Sequence, residues 1–144
     1  MFKELMFGHE KFQAYQYAIE FVALSTQIIE ELPKGFAKLA DQFRRASIAV
    51  PLNIAEGSGR RTTAEKNHCY VIARGEAMEC AAVIDVLTCL KLLDSQRADT
   101  AKTLLKNVVS ILTAVCSNEV RVQISEEGEG EGKDEDEDKD KDKG

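Results

Sequence analysis

The sequence predicts an all-α protein: an antiparallel up-down-up-down four-helix bundle with a disordered acidic C-terminal tail. Three observations predict it. Apolar residues recur at steps of three and four in four separate segments, which is the period of an amphipathic helix. Short breaks containing glycine, proline or polar residues separate those segments, and short connections favour antiparallel neighbours. The final stretch, EEGEGEGKDEDEDKDKDKG, contains no apolar residue. At 144 residues the chain is expected to hold one domain at most. That domain is placed at residues 1–125, with the tail at 126–144. Strand-like alternation is scarce, and a 44 % hydrophobic chain without Trp suits a core of aliphatics and alanine.

Residues 1–9 read as an irregular lead-in, with Phe2, Leu5 and Phe7 available to close one end of the bundle and His9 in an exposed loop. The first helix is expected from about Glu10 to Glu31. It carries two apolar stripes, one through Phe12, Tyr15, Ile19, Val22, Thr26 and Ile29, the other through Ala14, Ala18, Phe21, Ser25, Ile28 and Leu32. Together they are wider than a two-stranded seam requires. Pro33 and Gly35 end the helix.

The second helix begins near Gly35–Leu39 and contains DQFRRASIAVPLNIAEGSGRR, residues 41–61. Phe43, Val50 and Ile54 fall on one face, and Ile48, Leu52 and Ala55 on another. A helix apolar on two sides packs in its own bundle and against a further element or subunit. Pro51 lies inside this run. It removes one backbone donor and crowds the Ser47 carbonyl, at a cost of about 3 kcal/mol in an ordinary helix interior, so a kink is expected there. Ser47 and Asn53 can repair the local hydrogen bonding, with Glu56 paired to an arginine. Gly57 and Gly59 stop the helix, since glycine reaches the left-handed C′ conformation at little cost.

Thr62-Thr63-Ala64-Glu65 has the S/T-x-x-E capping-box pattern and opens the third helix, expected to about Leu93. Its stripe is Tyr70, Ala73, Ala77, Cys80, Ile84 and Leu87. Gly75 costs about 1 kcal/mol against alanine in mid-helix, which implies a packing reason for it. Asp94-Ser95 forms a turn and N-cap. The fourth helix is expected from about Gln96 to Ser117, with Ala101, Leu104, Val108, Ile111 and Val115 as its seam and Leu105, Val109 and Leu112 beside it. Residues 126–144 cannot bury enough apolar surface to offset their ordering entropy. The tail reads as solubilising, or more sharply as an internal mimic of nucleic acid that competes for a basic patch.

The net charge of −6 is concentrated in that tail. Residues 126–144 hold 11 acids and 4 lysines, whereas residues 1–125 hold 14 acids and 15 bases. Cys69, Cys80, Cys89 and Cys116 have no C-x-x-C spacing and fall in apolar helical patterns, as small buried hydrophobes do. No disulfide framework is implied, which fits a reducing compartment. The N-terminus lacks the apolar run of a secretory signal. No stretch approaches the roughly 20 apolar residues of a membrane span. A cytoplasmic protein is expected.

No catalytic set emerges. Ser58 stands in G-S-G without a nearby histidine, and His9 and His68 are the only two in the chain. Glu76 and Glu79 are spaced i and i+3, but the Glu-x-x-His repeats of di-metal bundles are missing, so a salt-bridged patch is the expectation. No metal or cofactor is expected, and the chain is not read as an enzyme. The basic residues are more suggestive. Arg44, Arg45, Arg60, Arg61 and Arg74 are candidates for phosphate contact, because the planar guanidinium binds two oxygens at once. Pairing with Asp41, Glu56, Glu65 or Glu76 within the bundle is the alternative. In an antiparallel arrangement Arg60, Arg61 and Lys66 share one end, about four turns from Arg44 and Arg45. A ring of subunits could gather copies that one monomer cannot.

The run Arg44–Arg61, with Leu32-Pro33, Gln42, Ile72-Ala73-Arg74-Gly75 and Glu79, resembles the signature of the four-helix-bundle proteins encoded in intervening sequences of 23S ribosomal RNA genes. The resemblance covers roughly residues 5–117. It implies a bacterial, left-handed antiparallel bundle that assembles as a homopentamer, without established catalytic activity, and a role near RNA. The architecture is also similar to accessory proteins of diversity-generating retroelements, which are pentameric bundles that bind nucleic acid and a reverse transcriptase. The residues that carry the resemblance include Pro51, Asn53, Glu56, Gly57 and Gly75. Asn67-His68-Cys69 departs from the usual apolar opening of helix three, and the acidic tail is additional; its charge opposes phosphate approach at low salt. The function expected is nucleic-acid association by a homo-oligomer, with a protein-interaction scaffold as the alternative.

Overall fold

The computed structural model describes residues 7–130, with side-chain surroundings for residues 7–116. Phe2 and Leu5, expected to close an end of the bundle, lie outside the described residues, as do residues 131–144. A 3-10 turn, Gly8–Lys11, precedes four helices: α1 (Gln13–Glu30), α2 (Ala37–Ser58), α3 (Thr63–Cys89) and α4 (Ser95–Gly130). Among the described residues there is no strand.

Each helix packs on its sequence neighbours, and α4 closes on α1, so the four surround one core. Gln42 and Arg45 meet Glu79 while Gly57 meets Tyr70, so α2 and α3 run in opposite senses. Asp85 with Lys102 and Arg74 with Thr113 establish the same for α3 and α4. The core is built from Phe21, Phe43, Ile54, Ile84, Leu87 and Leu112, all buried. Phe21 and Phe43 meet edge-on with ring centroids 6.0 Å apart, joining α1 to α2.

The two α1 stripes resolve unequally. Ala14, Ala18, Phe21, Ser25 and Ile28 are buried, whereas Ile19 on the other stripe is 45 % exposed. Ser25 is tolerated inside because its hydroxyl donates to the Val22 carbonyl at 3.0 Å. The expected α3 stripe is buried in full. In α4 the most buried row is Ala98, Ala101, Leu105, Val108 and Leu112, with Leu104, Ile111 and Val115 only half-buried. The seam is thus rotated from the expected one.

Helix ends follow their local chemistry. Thr62 Oγ1 accepts a hydrogen bond from Glu65 N at 3.1 Å, which caps α3. Asp94 Oδ2 accepts from Arg97 N at 3.0 Å, which caps α4. Gly35, at φ +100, makes the left-handed step after α1. The turn after α3 uses Lys91 at φ 60, with no glycine. Gly57 corrects an expectation: it lies inside α2 and is buried, and neither it nor Gly59 is left-handed. α4 also continues past Ser117, through Val120–Ile124 and the first acids of the tail, to Gly130. Once packing has fixed a helix, each further residue adds a hydrogen bond without a new nucleation cost.

Candidate nucleic-acid interface

α2 is one uninterrupted helix through Pro51, so Arg45 and Arg60 stand about 22 Å apart along its axis. The residues around the proline differ from the expected repair. Asn53 Nδ2 donates to the Ala49 carbonyl at 2.8 Å. Ser47 instead directs its hydroxyl across to Cys80 Sγ, 3.7 Å away on α3. Only Asn53 serves the local backbone.

The five candidate arginines occupy separate places. Arg44 Nη1 donates to Asp41 Oδ1 at 3.1 Å, one turn back on α2. Arg45 reaches across to α3, with Nη1 3.4 Å from Glu76 Oε2 and Nη2 3.2 Å from Glu79 Oε2. Gln42 Nε2 also donates to Glu79. One guanidinium therefore serves two carboxylates, and Glu76 Oε1 is buried without a hydrogen-bond partner among the described residues. Arg60 pairs with Glu56, and that hydrogen bond raises its guanidinium further above the ordinary value. Arg61 is exposed and has no ion pair among the described residues. Arg74 Nη1 donates to Thr113 Oγ1 at 3.2 Å, tying α3 to α4. Within one chain these groups do not converge.

The glycines of the motif have opposite surroundings. A Cβ on Gly57 would stand 2.6 Å from Tyr70 Cε1 and 3.0 Å from Cys69 Cβ, so its bareness lets α3 approach α2. A Cβ on Gly75 would meet nothing within 4 Å, and Gly75 is exposed. The packing reason expected for Gly75 is not found among the described residues.

Two further cations stand outside the five candidate arginines: Lys66, placed from the sequence at the same end as Arg60 and Arg61, and Arg97, which the sequence did not single out. Lys66 Nζ donates to the Ser58 carbonyl at 3.2 Å and lies 3.5 Å from that of Gly57. It places positive charge at the negative pole of α2. Arg97 joins the end of α1 to the start of α4, 2.9 Å from Glu31 and 2.7 Å from Asp94. Those carboxylates hold Arg97 far above its ordinary value, and its hydrogen bonds hold Asp94 below its own. The Asp94-x-x-Arg97 spacing after a turn was the available signal.

Nucleophile and ligand candidates are placed as follows. Cys80 is fully buried, and burial pushes its thiol up to about 12. Cys69 is buried, but Cys89 is exposed and Cys116 half-buried, which corrects the expectation for those two. His9 sits in the 3-10 turn, half-buried, with its ring 4.7 Å from that of Tyr15. Ser58 Oγ is 3.4 Å from Tyr70 Oη. A hollow of about 370 Å³ between α2 and α3 is lined by Asn53, Glu56, Arg60, Glu65, His68 and Ile72, a mixture of both charges. Among the described residues no three His, Cys, Asp or Glu side chains converge as a metal site. No described helix is long and apolar enough to cross a membrane.

No curated protein matches the chain. The family model described as 23S rRNA-intervening sequence protein matches residues 10–114, which takes in α1, α2, α3 and α4 as far as residue 114. With that match spanning most of its length, the chain belongs to the 23S rRNA-intervening sequence protein family.

Proposed function

We propose that this protein is a non-catalytic, cytoplasmic homo-oligomer that binds nucleic acid, RNA first, through arginines brought together in a ring of subunits. The proposed unit is an up-down-up-down bundle over residues 1–125 followed by an acidic tail, whose first residues, through Gly130, continue α4. The family resemblance supports a ring of five. One observation supports assembly above the others. Ile48 and Leu52 on α2 and Val71 and Met78 on α3 are exposed, Leu52 by 61 %. Val71, Gly75, Met78 and Ala82 follow one another at helical steps on the outer face of α3, with no charge among them. Single exposed hydrophobes are ordinary, but aligned ones rimmed by polar groups mark interaction surfaces. Two different patches meeting head to tail close into a ring.

Light scattering joined to filter binding with a structured RNA tests both parts. A five-subunit mass is expected, with affinity falling linearly in log–log against salt as counterions are released. Binding absent at low salt, or flat across the salt series, overturns the nucleic-acid reading. The second reading is a protein-interaction scaffold without nucleic acid. It is favoured by the pairing of Arg44, Arg45 and Arg60 with carboxylates. A pull-down in which the partner survives nuclease treatment would select it.

A further inference from the structure

The end of the bundle reached by α2 carries a feature outside the candidate arginine set. A surface hollow of about 470 Å³ is lined by Lys11, Ser58, Lys66 and Tyr70, with Phe12 and Val115 beside them. It presents two ammonium groups and two hydroxyls, and no carboxylate lines it. Lys66 is half-buried and spends donors on the α2 carbonyls. An ammonium has three donors, and its position leaves charge facing the hollow. Arg61, exposed, follows α2 at the same end. Of the other charged groups there, Glu56 is taken by Arg60, while Glu10 and Glu65 flank the end without lining the hollow.

Val115 places α4 at this same hollow, and α4 continues from there to Gly130. The segment that follows includes Asp134-Glu135-Asp136-Glu137-Asp138, five consecutive acids. From Val115 to Gly130 the helix rises about 22 Å. Residues 131–138 span at most about 29 Å when extended. The last acids of that run can therefore reach back from Gly130 to the hollow. We propose that the Lys11–Lys66 hollow is a docking site for an acidic peptide, and that its occupant is the chain's own segment 131–144. The contact is electrostatic, since the segment has no apolar residue to bury. It stands whether or not the protein binds nucleic acid, because both charges belong to this chain.

The test is zero-length carbodiimide cross-linking of the full chain, read by mass spectrometry, in a mixture of light and heavy isotopic forms. Amide links from Lys11 or Lys66 to Glu137, Asp138 and the acids after them, within one isotopic form, are expected at low salt. They should fall several-fold near 1 M salt, where the Debye length is about 3 Å. A second measurement is the acetylation rate of Lys11. It should rise several-fold when Asp134, Asp136 and Asp138 are changed to Asn and Glu135 and Glu137 to Gln. Lys11→Gln combined with Arg61→Gln, both exposed and away from the α2 cap, should abolish the remaining links to Lys66. Links spread evenly onto Lys34, Lys38 and Lys91, links only between light and heavy chains, or an unchanged Lys11 rate would overturn the proposal.

Discussion

Gly57 and Tyr70 are in contact so close that a single methyl on Gly57 would stand 2.6 Å from the Tyr70 ring. The ring is itself held, buried at 5 % exposure and 5.8 Å from Phe12. It cannot give way without disturbing the α1, α2 and α3 ends together. Gly57→Ala should therefore destabilise the fold by about 1–3 kcal/mol, the usual cost of overpacking. A thermal melt of the purified variant measures this.

Gly75→Ala should behave in the opposite way in the separated chain. Nothing stands near the added methyl, and the helix gains about 1 kcal/mol of propensity. If Gly75 lies in a subunit contact as proposed, the same variant loses assembly while its helicity is kept. Melting temperature and light scattering on one sample read the two effects separately.

Leu52→Asp tests the outer face of α2 directly. Leu52 is 61 % exposed, so the substitution removes little burial and should leave circular dichroism unchanged. The expected outcome is a folded chain of lower mass by light scattering.

The thiols should divide by burial. Cys89 should react with a thiol reagent at pH 8 in the native protein. Cys80, held near 12 by burial, should react only on unfolding. Counting modified cysteines before and after denaturant checks the order.

Asp94 gives the fold an acid-sensitive clasp. Its hydrogen bonds to Arg97 lower its carboxyl below the ordinary value. The stability it contributes is present above the unfolded pKa and is lost as pH falls through the folded one. Asp94→Asn should lower the melting temperature at pH 7. The gap to the parent should narrow below about pH 3.9, the ordinary Asp value.

Much of the core was legible because periodicity is a burial signal. The row Tyr70, Ala73, Ala77, Cys80, Ile84 and Leu87 is buried as its spacing predicts. The α4 seam was not, because apolar residues there cover a broad arc. Only the neighbours α1 and α3 decide whether Leu104 or Leu105 points inward. Gly57 was misassigned because glycine has two uses, positive φ and close approach, and sequence cannot separate them. Lys91 at φ 60 carried no signal, since lysine has no preference for that conformation. The arginine pairs were legible in type, because Glu56–Arg60 and Asp41–Arg44 have helical spacing. The Arg45 contact to Glu76 and Glu79 depended on the relative heights of α2 and α3, which no local pattern fixes.

Pro51 has a consequence for how α2 opens. It has no amide hydrogen, so the ladder of this continuous helix lacks the rung that would end on Ser47. Before it, the helix is pinned by Phe43 against Phe21; after it, by Gly57 against Tyr70. The two stretches need not breathe at the same moment. Deuterium uptake along α2 should fall into two protection classes that meet at residue 51, dividing one helix into two units of local unfolding.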